Sequence, residues 1–175
     1  MEILIIGGIL VALMAYVSTR IKKSAASAYE PETVETAEFI LVKPEGFISP
    51  VGKVSAFAFE AFSKDFGESD KTEKLRRAQA NLRIAAGENF AVYCERAKQT
   101  FDEILSAETL GAATSGRKIC LLKGENQENG VQIFEYRKIV AAESRIYDLQ
   151  AVVLGDSSGV YGDRIEKMIE SFQVK

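Results

Sequence analysis

VQIFEYRKIVAAESRIYDLQAVVLGDSSGVYGDRIEKMIESFQV, residues 131–174, holds two β-rich runs and one helical run in a row. The runs 131–140 and 145–154 are dense in Val, Ile, Tyr and Phe, and only Ala141 to Ser144 separates them. Runs this close pair as a hairpin, because no crossover fits in so short a link. The period then changes. Tyr161, Ile165, Met168, Ile169 and Phe172 recur at i, i+4, i+7, i+8 and i+11, the apolar stripe of an amphipathic helix. Asp156-Ser157-Ser158 before it reads as a capping segment.

Working outward, residues 117–123 form another strand candidate, joined to 131–140 through the turn signal Asn129-Gly130. Gly111 and Gly116 bracket a loop. Before it, residues 89–106 take a helical period. Phe90, Tyr93, Ala97, Phe101 and Ile104 share a face, and Asn89 is placed to cap the first turn. Three strands precede that helix, at 38–43, 54–62 and 75–85. In the last of these Ala78, Ala80, Leu82 and Ile84 alternate with Arg77, Gln79, Asn81 and Arg83, the pattern of a half-buried strand. The expected fold is α+β, an antiparallel sheet packed by two helices in the order β-β-β-α-β-β-β-α.

The N-terminus reads differently. Ile3 to Val17 is uncharged, Ser18 and Thr19 extend the run, and Arg20, Lys22 and Lys23 follow. A spanning helix needs roughly 17–25 such residues, and cations at its end can snorkel to the interface. A secretory signal would carry its positive charge before the apolar run, where this chain has Glu2. Residues 1–23 are therefore read as a single transmembrane anchor, 24–37 as a tether, and 38–175 as a soluble domain. Arg20, Lys22 and Lys23 as membrane-interface cations place the N-terminus outside and the body in the cytoplasm. Gly8, Ala12 and Ala15 form a small-residue face suited to packing on another membrane helix.

Composition narrows the chemistry. The 175 residues include 22 basic and 25 acidic side chains and no histidine. Setting aside Glu2, Arg20, Lys22 and Lys23 leaves 19 basic against 24 acidic, an acidic body with no call for nucleic acid as a partner. Lack of imidazole removes the usual general base, the Ser-His and Cys-His nucleophile pairs and most zinc sites. Cys94 and Cys120 form no CxxC and read as small buried residues. No phosphate-binding glycine motif occurs, and Asp65, Glu68 and Asp70 lack calcium-loop spacing. No catalytic, metal or cofactor-binding residue is assigned. Phe62 and Phe66, beside Arg76 and Arg77, are the candidate docking surface, because the Phe57–Phe66 group is denser than one sheet face needs.

The element order from Phe39 to Val174, with the strand Tyr147 to Leu154 leading into Tyr161 to Phe172 and the ending Ser171-Phe172-Gln173-Val174, resembles the PsbP-like fold. That fold is named for an extrinsic photosystem II protein and has bacterial lipoprotein-type and eukaryotic nuclear-transport relatives. The resemblance implies a binding or assembly accessory more than an enzyme. By analogy, the complex it serves would be a photosynthetic or other energy-converting one. The expectation is a non-catalytic, membrane-anchored accessory subunit or assembly factor of a membrane protein complex. The alternative is a membrane-tethered domain that binds a small ligand or peptide.

If the anchor is retained, intact-mass measurement on the membrane fraction will return the complete chain. A mature chain beginning near Ser27 or Tyr29 would mean a cleaved signal instead.

Overall fold

The computed structural model describes residues 13–20, 27–50, 55–111 and 117–175. Residues 13–20 are helical (α1) and exposed. Among the described residues no helix is long and apolar enough to cross a membrane. Gly8, Ala12, Lys22 and Lys23 lie outside the described residues. Ala15 and Arg20 lie in α1, both exposed.

The body is α+β and antiparallel, in two sheets instead of one. The strands are β1 (Glu32–Glu35), β2 (Phe39–Lys43), β3 (Phe47–Ile48), β4 (Phe59–Ser63), β5 (Ala78–Ala86), β6 (Glu103–Gly111), β7 (Lys118–Glu128), β8 (Val131–Ala142), β9 (Arg145–Leu154) and β10 (Gln173–Val174). The helices are α2 (Phe90–Lys98) and α3 (Ser158–Ser171). Seven strands run in the order β3-β4-β5-β9-β8-β7-β6, and a small sheet runs β1-β2-β10.

Both hairpins of the C-terminal half form where the turn residues allow. Asn129 (φ 54°) and Gly130 (φ 72°) are both left-handed between β7 and β8, the geometry that matches strand twist. Glu143 (φ 57°) takes the same conformation between β8 and β9. Asn89 caps α2, its Oδ1 accepting from the amides of Ala91 (3.0 Å) and Val92 (3.3 Å).

Three sequence expectations change. First, α2 ends at Lys98, not Ser106. The Thr100 hydroxyl donates to the Ala97 carbonyl at 2.8 Å, and Asp102 is tied to β7. Its amide donates to Asn126 Oδ1 (2.8 Å) and its carboxylate accepts from the Gln127 amide (2.7 Å). Phe101 turns back beneath Gly124, where an added Cβ would lie 2.4 Å from the Phe101 ring. Residues 103–111 then run as strand β6. Second, part of the stretch read as tether is strand. β1 pairs with β2, and Glu32 meets the buried Lys43 at 2.9 Å. Third, the chain closes on strand β10, which pairs Gln173 with Ile40 and Val174 with Phe39.

The main core lies on one face of the large sheet. Ala78, Ala80, Leu82, Leu149, Ala151, Val153 and Tyr136 meet α3 and the small sheet there. Phe47 and Tyr161 stack edge to face at 5.7 Å, and Phe39 meets Phe172 at 6.3 Å. The opposite face carries a smaller core where α2 lays Tyr93, Cys94 and Ala97 on Cys120, Leu122, Ile139 and Ile146.

Ile165 and Met168 are 0% and 1% exposed. Either changed to alanine is expected to cost about 2–5 kcal/mol by chemical denaturation. Losses under about half a kcal/mol at both sites would mean that α3 does not pack on the sheet.

Candidate functional site

The four residues of the candidate docking surface come together. Phe66 and Arg76 form an isolated bridge across the loop between β4 and β5. The Arg76 guanidinium lies 4.0 Å from the Phe66 ring centroid and 4.7 Å from that of Phe62. It also donates to the carbonyls of Ser63 (3.1 Å) and Lys64 (2.9 Å). Arg77 donates to the Phe66 carbonyl at 2.7 Å and pairs with Glu68. Phe66 remains 44% exposed. The arginines thus hold the loop, and one aromatic face is left to solvent. Two nearby carboxylates are engaged as well. Asp65 accepts from the Tyr161 hydroxyl at 3.0 Å, and Glu68 takes Arg77.

A second feature escaped the periodicity. β6 is nine residues long, exposed throughout and, among the described residues, bonded on one side only, to β7. Ile104, Leu105 and Leu110 are 43–47% exposed. Globular proteins usually blunt a long edge with lysine, proline or covering chain, because its free N–H and C=O groups recruit other strands. Among the described residues this edge has no lysine, proline or covering chain; Glu103, Glu108 and a register shift between Ile104 and Ser106 are its only interruptions.

The face bearing α2 holds a buried polar network. Asp148, 4% exposed, takes both Nε (3.2 Å) and Nη2 of Arg137 and the Tyr93 hydroxyl (2.9 Å). Glu135, also 4% exposed, accepts from Gln150 (2.8 Å) and Asn126 (3.1 Å) and lies 3.7 Å from Arg137. Burial pushes the Glu135 carboxyl above its ordinary range, against the pull of Arg137. Burial, with Asp148 adding to it, pushes the Tyr93 phenol up to about 12. Burial of this kind is tolerated only when each charge is paired and hydrogen-bonded. The network is fully paired, so its first effect is to seat α2 on the sheet.

The order of elements and the antiparallel sheet are those of the PsbP-like fold, and solved structures bear this out. The chain superposes on cyanobacterial PsbP (CyanoP) from Synechocystis sp. PCC 6803 with TM-score 0.54, at 11% identity, over 84% of this chain and 94% of that one. It matches LpqN of Mycobacterium tuberculosis, a protein involved in cell envelope biogenesis, with TM-score 0.54 at 13% identity, over 83% and 91%. A Pseudomonas aeruginosa protein of unknown function matches with TM-score 0.50 at 11% identity, over 81% and 95%. At such identities the likeness is one of fold. No family model matches the sequence, and no curated protein matches it.

Asp148→Ala leaves Arg137 buried without its carboxylate and is expected to cost about 3–5 kcal/mol. Tyr93 supplies a pH test. Its pKa is raised by folding, so its contribution is complete below pH 10 and is lost as pH rises toward 12. Tyr93→Phe should flatten that alkaline limb in urea melts taken from pH 9 to 12. An unchanged limb would assign it to another group.

Proposed function

We propose that this chain is a non-catalytic, membrane-anchored accessory subunit whose body docks onto a partner protein through the β6 edge. The observation that carries the reading is that edge, nine exposed residues with three large apolar side chains and a free row of backbone groups. An edge of this kind accepts an added strand. Main-chain bonds supply affinity, and side chains on the two faces supply selection. The Phe62–Phe66–Arg76 cluster gives a second, more polar contact on the far side of the sheet.

The N-terminal segment supports the membrane part. Leu13, Met14, Tyr16 and Val17 are all exposed in α1, which suits lipid better than water. With Arg20, Lys22 and Lys23 at the cytoplasmic interface, the body faces the cytoplasm. The Gly8, Ala12 and Ala15 face packs on a helix of the same complex. Two contacts on one chain reinforce each other, since tethering raises the effective concentration of the second.

The test is native-gel migration of the detergent-solubilised chain. Wild type should travel with a larger complex. Ile104→Lys with Leu110→Lys, and separately Gly8→Leu with Ala12→Leu, should release it while leaving it in the membrane fraction. Wild type that migrates alone as a monomer overturns the reading.

A further inference from the structure

On the α2 face, beside the buried network, a cavity of about 290 Å³ opens between the sheet and the helix. Its wall includes Arg83 on β5, Arg96 on α2, Arg137 on β8, and the side chains of Tyr93, Thr100 and Gln150. Three guanidiniums line it and no carboxylate does. That is unusual for a body with more acidic than basic groups.

The charges do not cancel evenly. Arg137 is held from beneath by Asp148, with Glu135 at 3.7 Å. One of its remaining N–H groups donates to the Thr100 hydroxyl at 3.3 Å. Arg96 meets Glu88 at 2.6 Å on the outer side and lies over the Tyr93 ring at 4.9 Å. Arg83 is different. Among the described residues it makes no hydrogen bond and no ion pair, only a contact 5.7 Å from the Phe57 ring centroid. Yet it sits directly opposite Asp148 in the β5–β9 register, and Gln150 is two residues further along β9. The Tyr93 phenol feels both Arg83 and Arg137 as positive neighbours. The result is one uncompensated guanidinium at the mouth, with a fixed second one at the floor.

We propose that this cavity is a binding site for a small oxyanion, a phosphate ester or a dicarboxylate. Planar guanidiniums match both groups through paired N–H donors. The volume is at the low end of the range for ligand sites, about 300–1,000 Å³, so the ligand is compact. Arg83 is the main anion contact, and Arg96 closes the rim by exchanging Glu88 for the ligand. Arg137, neutralised by Asp148, supplies N–H donors at a floor whose position that pair fixes. The site is independent of the β6 edge and of the anchor.

Calorimetric titration of the complete chain in neutral detergent tests it, with inorganic phosphate and succinate as probes and sodium chloride at matched ionic strength as the blank. Saturable binding of either probe is expected. Phosphate alone binding would identify a phosphate ester, and succinate alone a dicarboxylate. Arg83→Gln should weaken binding about tenfold or more, the loss of a charged hydrogen-bonded contact. Arg83→Lys, which keeps the charge without the fork, should fall between. Lys167→Gln, an equal charge change on α3, should leave binding unaltered. Circular dichroism checks that the Arg83 variants are folded, and Arg96→Gln provides a second route into the rim. Heat no greater than the chloride blank, or Arg83→Gln binding as well as wild type, overturns the proposal.

Discussion

Asp148 stands in β9, a strand between β5 and β8 that is buried on both faces. Tyr147, Leu149, Ala151 and Val153 feed the main core, so the alternate positions must face α2. One of these is a carboxylate, and water cannot reach it. Arg137 and Tyr93 replace that water with charged and neutral donors. Arg137 comes from β8 and Tyr93 from α2. The carboxylate therefore fixes where the helix sits and restrains slippage between β8 and β9. A slip by one residue would bury Lys138 and Leu149 on the wrong faces and strand Asp148 without a partner.

The elements that the sequence made legible are those with one wet and one dry face. β5 alternates because Ala78, Ala80 and Leu82 are buried while Gln79 and Arg83 are not. α3 shows its stripe because Tyr161, Ile165 and Met168 enter the core. Asn129-Gly130 and Asn89 carried local chemistry that needs no tertiary context. β6 was not legible, because a strand exposed on both faces has no reason to alternate. Its Ile104 also continued the helical spacing of Phe90 to Phe101. What ends the helix is tertiary, the seat of Phe101 under Gly124 and the lock between Asp102 and β7. β1 was hidden by two glutamates among its four residues, since an edge strand on a small sheet needs only Val34 to face inward.

Among candidate site residues, proximity in sequence brought Phe62, Phe66, Arg76 and Arg77 into view, because one loop joins them. The arginine-lined cavity draws on β5, α2 and β8, three elements far apart in the chain. Alternation placed Arg83 on a solvated strand face. Only the strand order β5-β9-β8 reveals that this face is shared with Arg137 and covered at one end by α2.

The pairing of β2 with β10 governs the order of events as the chain is made. Phe39 and Leu41 are completed by Phe172 and Val174, so the main core stays open until those residues have left the ribosome. Contacts between such distant segments slow folding, because a long loop must close before any burial rewards it. Until then the apolar faces of β2, β5 and β9 are uncovered together. Partly made chains therefore expose apolar surface of the kind that promotes aggregation, until α3 and β10 cover it.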